Sequence, residues 1–212
     1  MLFTPTLRLM ASNSPKSPET KSPDAKSHEG YLDQQILIAM PGMVDDNFSG
    51  SVTLMCQHDA QGAIGITINR VSEFTLGEIL NQLDIQCADD ELRKMDVLAG
   101  GPVAPDRGFV VHSPRPGYES SMKVGETMMV TTSRDVLADI AVGEGPEKFI
   151  VALGYAGWGE GQLEGEMLAN AWLSVNADTE IVFDRPVHDR FDLALGRLGV
   201  HPESLHSQAG HA

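Results

Sequence analysis

The sequence predicts a single α+β domain. Three observations lead there. Strand-type and helix-type segments follow one another without strict alternation, two strand segments lie close enough to form a tight hairpin, and the foldable stretch is one domain long. Of the 212 residues, the first 30 are expected to stay disordered. From Ser12 to Glu29 the chain is dominated by Ser, Pro and charged residues, and Ala25 is its only apolar side chain apart from proline. Such a segment buries too little apolar surface to offset the entropy of ordering it. The domain is expected to run from about Tyr31 to Leu205, followed by a flexible tail over 206–212.

The run Gln35-Ile-Leu-Ile-Ala-Met40, closed by Pro41-Gly42, predicts a well-buried strand. Val52–His58 and Ala63–Asn69, joined by Asp59-Ala-Gln-Gly62, read as a β-hairpin. Period-2 counting places Val52, Leu54, Cys56 and His58 on one face, and Ile64, Ile66 and Ile68 on a core-facing side. Thr75 and Glu78 have capping-box spacing before the stripe Leu76, Ile79, Leu80 and Leu83, so a helix is expected over 76–83. Short strands follow at 97–99 and 108–112. Ser113–Glu126, with Pro114, Pro116 and two glycines, is expected to be a long loop. A strand at 128–131, a helix from Ser133 to about Val142 and a strand at 148–154 come next. The glycine-dense stretch 154–161 reads as a turn, followed by a helix at 162–170, strands at 172–175 and 181–183, and a last helix at 190–198.

Charge and composition limit the function. The chain carries −15, and the first 30 residues hold four basic and three acidic side chains, leaving −16 on the rest. Nucleic-acid binding draws on cations that replace phosphate counterions, so direct binding to DNA or RNA is not expected, nor is attraction to an anionic membrane. No apolar run approaches the roughly 18 residues that span a bilayer. Met1–Met10 lacks the pattern of a secretion signal. With two cysteines, Cys56 and Cys87, no disulfide framework is implied, and a cytoplasmic location is expected.

Several segments place special residues densely: Ile38–Met43, Gly62–Asn69 with Leu76-Gly-Glu78, Gly100-Gly-Pro-Val103 running on to Arg107–His112, Gly154–Leu163 and Asn170-Ala-Trp-Leu173. In this combination and order the sequence resembles the YqgE/AlgH family of bacterial proteins over about residues 31–205. The resemblance implies a compact α+β fold of coiled, partly barrel-like β-sheet surrounded by helices. It also carries a name tied to transcriptional regulation of alginate synthesis. It implies no reaction, cofactor or catalytic residue set.

The candidate residues therefore rest on their own chemistry. Gly154–Gly161, with Tyr155, Gly157, Trp158, Gly159 and Gly161, precedes a helix and has the features of an anion site. Glu160, Glu164 and Glu166 oppose that reading, the spacing is not that of a phosphate-binding glycine loop, and close backbone packing around Trp158 is the favoured reading. Cys56 with His58, or with His112 arriving from elsewhere, has the residue types of a thiolate nucleophile; a buried, inert Cys56 is the favoured reading. Asp45-Asp46 and Asp89-Asp90-Glu91 lack metal-ligand spacing, so no metal and no cofactor is expected. His201, His206 and His211 read as part of a polar tail. The most helix-turn-helix-like stretch, 76–83 followed by 89–95, opens its second helix with three acids, the wrong charge for phosphates. The expected binding surface joins Gly100, Gly101, Pro102, Arg107 and His112 to the glycine-rich stretch and the 113–126 loop, with Tyr118, Tyr155 and Trp158 as contact residues; each fits the core equally well, and Trp158 fits it better. Its partner is expected to be a protein or small molecule. An enzyme using Cys56 or His112 in hydrolysis or thiol chemistry is the rival reading.

Overall fold

The computed structural model describes residues 31–199. The disordered segment expected over 1–30, the flexible tail over 206–212 and the three tail histidines lie outside the described residues.

Ten strands form one highly curled sheet: β1 Gln35–Ala39, β2 Val52–Asp59, β3 Gly62–Thr67, β4 Val71–Thr75, β5 Asp96–Ala99, β6 Val103–His112, β7 Ser121–Val124, β8 Met128–Thr131, β9 Phe149–Gly159 and β10 Trp172–Asn176. Their order is β10-β1-β2-β3-β9-β6-β8-β7, with β5 pairing in parallel to β9 and β4 antiparallel to β5. The six strands from β2 to β7 curl into a half-barrel, whose edge strand β7 returns toward β2. The helices are α1 Leu76–Gln82, α2 Asp90–Arg93, α3 Arg134–Ala141, α4 Gln162–Leu168 and α5 Arg190–Arg197. This is the expected single-domain α+β fold.

Three apolar clusters explain which segments became strands. The half-barrel interior and α5 enclose Leu54, Ile66, Phe109, Val111, Val130 and Ala152 among others. Helices α1 and α3 cover the outer face of β6 and β9 through Ile79, Leu80, Val136, Leu137, Val110 and Val151. Helix α4 covers the face bearing Leu37, Met55, Ala156, Trp158 and Trp172. Strand β1 lies between two of them, with Ile36 and Ile38 toward the interior and Leu37 and Ala39 toward α4. That double cover is why its sequence is a continuous apolar run and not an alternation. At the start of α1, the Glu78 carboxylate accepts from the Thr75 backbone N–H at 2.8 Å and from its hydroxyl at 3.0 Å, as the capping spacing predicts.

Several expectations are corrected. The stretch 154–161 is not a turn: β9 runs through Gly159, and the reversal is confined to Glu160-Gly161. Glycines weaken a strand in isolation, but Gly154 is demanded by its neighbour, a Cβ there lying 2.3 Å from the Gly101 oxygen, and two glycines that face β9 are equally confined. A Cβ on Gly101 would lie 2.2 Å from the Tyr155 carbonyl carbon, and one on Gly62 would lie 2.2 Å from the Trp158 oxygen. The 113–126 loop contains strand β7, paired antiparallel to β8. Residues 181–183 are not a strand: Glu180–Asp184 forms a wide π-helical turn that buries the consecutive Ile181 and Val182, which strand alternation would send to opposite faces. Strand β6 starts at Val103, not at 108, and β4 is an added strand. The acidic segment at 89–95 makes only the single turn α2, capped by the Asp89 carboxylate.

Candidate functional site

Two irregularities in the ladder shape the site. Between β6 and β9 the register passes from Val103↔Tyr155 to Gly108↔Leu153, so residues 104–107 stand opposite Gly154 alone. Pro105 in this stretch has no N–H to give the ladder, and Gly154 takes φ +72°, with a would-be Cβ only 2.3 Å from the Gly101 oxygen. The bulge turns Arg107 back over the ring of Phe109, its guanidinium carbon 5.3 Å from the centroid. It also changes the alternation along β9. Ile150 and Ala152 face the half-barrel interior before it, whereas Tyr155 packs there after it.

The second irregularity lies in β2. Its register with β3 passes from Met55↔Gly65 to Gln57↔Ile64, leaving Cys56 as the extra residue. Cys56 therefore packs in the half-barrel, while His58 turns to the α4 side. The period-2 expectation that they share a face is overturned, because one inserted residue sends everything beyond it to the other face.

A cavity of about 300 Å³ opens where these features meet. Its apolar wall is Ile64, Ile66, Phe109, Met122 and Val130, with the Cys56 thiol at its floor. Its polar groups are Arg107, Glu119, Ser120, Ser121, Thr132 and Tyr155. Tyr155 meets Phe109 edge-on at 5.6 Å. Among the described residues, Arg107 is the one arginine with no hydrogen bond or ion pair; Arg70, Arg93, Arg115, Arg134, Arg185, Arg190 and Arg197 all have partners.

Behind the cavity runs a chain of hydrogen bonds. Fully buried His112 places Nδ1 2.8 Å from the Ser113 carbonyl and Nε2 2.8 Å from Thr131 Oγ1, which is 2.6 Å from Ser121 Oγ. A carbonyl oxygen only accepts, so Nδ1 carries a proton. Burial pulls the imidazole pKa below its ordinary 6.5, partly offset by the Ser113 bond. In the neutral ring Nε2 then accepts from the Thr131 hydroxyl, and Thr131 in turn accepts from Ser121. The network leaves Ser121 Oγ with lone pairs for the cavity it lines.

The predicted residues are thus distributed over different tasks. Arg107 and Tyr155 line the cavity, and His112 reaches it only through Thr131 and Ser121. Gly100 and Gly101 lie against the β9 backbone, where a Cβ would stand 2.4 Å from the Gly154 oxygen or 2.2 Å from the Tyr155 carbonyl carbon. Pro102 is exposed beside them. Trp158 is buried on the far face, against Trp172 at 5.9 Å and Phe48 at 6.0 Å, with its indole N–H donating to Glu166 at 2.9 Å. Gly157 and Gly159 are exposed strand residues, and Gly161 caps α4 in the left-handed conformation at φ +69°. Tyr118 is half-buried and edge-on to His112 at 5.7 Å.

The catalytic candidates do not converge. His58 accepts the Leu32 N–H on Nδ1 at 2.9 Å and donates from Nε2 to Glu164 at 3.1 Å, joining β2 to α4 and to the segment before β1. Burial raises the Cys56 thiol to about 12, so the nucleophilic thiolate is disfavoured. The enzyme reading finds no support in this arrangement. Sequence reasoning put the 113–126 loop at the binding surface without singling out Ser121 or Met122, and it missed Thr131. Two hydroxyl pairs, Ser120-Ser121 and Thr131-Thr132, separated by hairpin spacing, were the available signal.

The fold and site together define a half-barrel α+β protein with a ligand-sized cavity lined by the half-barrel strands. The AlgH-like family profile matches residues 36–203. A UPF0301 protein of Xanthomonas campestris pv. campestris is 49% identical over 181 residues, 85% of this chain and 96% of the relative. One from Xanthomonas oryzae pv. oryzae is also 49% identical over the same shares. The solution structure of the AlgH protein from Pseudomonas aeruginosa matches with TM-score 0.73 and 46% identity, covering 88% of this chain and 99% of that one. A Corynebacterium diphtheriae protein shares the fold at TM-score 0.65 and 17% identity, over 89% of this chain and 96% of that one. The chain belongs to the AlgH-like family.

Proposed function

We propose that this protein is a cytosolic regulatory or interaction protein that binds a small molecule or a protein at the half-barrel cavity and acts on transcription, if at all, without touching DNA. The observation that carries this reading is the cavity itself, concave and largely apolar, with a few polar groups converging on it. The cytosolic part rests on Cys56 and Cys87, both free thiols. The exclusion of DNA rests on charge. The one-turn α2 presents Asp90 and Glu91 after an Asp89 cap, and the whole chain carries −15.

The test compares tagged wild type with Ile64→Trp, which fills the cavity from its partly exposed wall. After mild purification from bacterial lysate, native mass spectrometry reads retained small molecules and pull-down reads proteins. A species held by wild type and lost from a folded Ile64→Trp supports the site. Equal retention by both overturns it. For the DNA clause, sequence-dependent nanomolar binding in a low-salt gel shift would be decisive against it.

A further inference from the structure

We propose that the half-barrel cavity binds a small amphipathic monocarboxylate, with a hydroxyl or amide donor near its carboxylate: Arg107 holds the carboxylate, Ser121 accepts from the donor, and the apolar wall takes the chain. This rests on the reading of the cavity as the binding site and adds the chemistry of what enters it.

Arg107 is the first observation. In a chain so rich in carboxylates, it is half-buried, stacked on Phe109, and makes no hydrogen bond or ion pair to any described residue. A guanidinium with its donor fork unused beside an apolar cavity matches a planar carboxylate. The bulge at 104–107 fixes it there.

Charge sets the valence. Arg107 and Glu119 are the two charged side chains of the cavity lining. Arg107 is the single cation available to pair with a ligand charge, and a second negative charge on the ligand would face Glu119 and the acidic domain. A monocarboxylate is therefore favoured over a phosphate dianion.

The buried chain sets the donor. Ser113, His112 and Thr131 fix the direction of every hydrogen bond up to Ser121, so the Ser121 hydroxyl proton points away from the cavity and its oxygen is left to accept. A ligand hydroxyl or amide N–H satisfies it; a bare hydrocarbon does not. Ile64, Ile66, Met122 and Val130 supply the apolar remainder.

The test titrates the full chain with four probes: 3-hydroxyoctanoate, octanoate, 1-octanol and octyl phosphate. Binding is read by calorimetry and by amide chemical shifts. The expected result is saturable shifts centred on Ile64, Ile66, Ser121 and Met122, with 3-hydroxyoctanoate tightest and 1-octanol weaker by about tenfold or more, the scale of one charge-assisted contact. Arg107→Gln is expected to lose about that factor for both acids and nothing for the alcohol. Ser121→Ala is expected to erase the preference for the hydroxy acid while leaving octanoate unchanged. Both variants keep the apolar core, and their shift dispersion confirms the fold. Equal binding of alcohol and acid, unchanged acid binding in Arg107→Gln, tightest binding of octyl phosphate, or no shift at these amides overturns the proposal. Those outcomes leave the Ile64→Trp comparison to judge the site reading separately, because it uses whatever the cell supplies.

Discussion

Burial decides what Cys56 can do. The side chain is 3% exposed, and its thiol, raised to about 12, donates to the Leu54 carbonyl at 3.5 Å. At pH 8 its thiolate population falls on the order of a thousandfold below that of a free thiol near 8.5. Iodoacetamide on native protein is expected to modify half-buried Cys87 and spare Cys56, with both labelled in urea; mass spectrometry of the native reaction with Cys56 labelled first would refute this. His112 carries the other residue-scale prediction. Its folded pKa lies below the ordinary 6.5, so below that pH the unfolded chain binds the proton more readily. The stability linked to His112 is present above pH 6.5 and is lost as pH falls through the folded value. Urea midpoints at pH 7.5 and 5.5 are expected to separate in wild type and to draw together in His112→Gln. An unchanged separation would place the acid sensitivity on other groups.

At the scale of elements, one carboxylate fixes α4 to the sheet. Glu166 Oε2 accepts from the Trp158 indole at 2.9 Å and the Trp172 indole at 2.8 Å, while Oε1 accepts from Gln162 at 2.9 Å. Two buried indole donors lose their partner together in Glu166→Ala. The expected cost is about 2 kcal/mol or more, with altered tryptophan emission; chemical denaturation showing less than about 0.5 kcal/mol would mean that other groups take over the donors. Much of this element was legible. The helix at 162–170 and the strand at 172–175 follow from their periodicity, but Glu166 reads in sequence only as a charge opposing an anion. The contact joins residues from separate elements, and no local pattern encodes it. The β9 extension was hidden for the same reason: Gly154 answers to Gly101, and the far end of the strand pairs with Gly62–Gly65, all distant in the chain.

At the scale of the molecule, acidity acts as a field. The described ion pairs include Lys148–Asp184 at 2.6 Å and Lys94–Glu91 at 2.7 Å, but acids outnumber bases two to one, 30 against 15. Self-repulsion then outweighs exposed pairs, each worth little. Raising sodium chloride from about 0.05 to 0.5 M shortens the Debye length from roughly 14 to 4 Å, so the melting temperature is expected to rise by a few degrees. A fall on adding salt would show that the specific pairs dominate.

Composition, charge and periodicity by themselves determined the α+β class, the paired segments 52–69, most helices, the family resemblance and the acidic character. These properties are local or additive along the chain, so a linear reading captures them. Tertiary structure alone decided which way the residues face and what they meet. One extra residue at Cys56 separates it from His58, the bulge opposite Gly154 turns Arg107 over Phe109, and the curl of the sheet brings β7 with Ser121 to the same cavity. Register and curvature arise from contacts distant in sequence, and a change of one residue in register reverses every side chain beyond it.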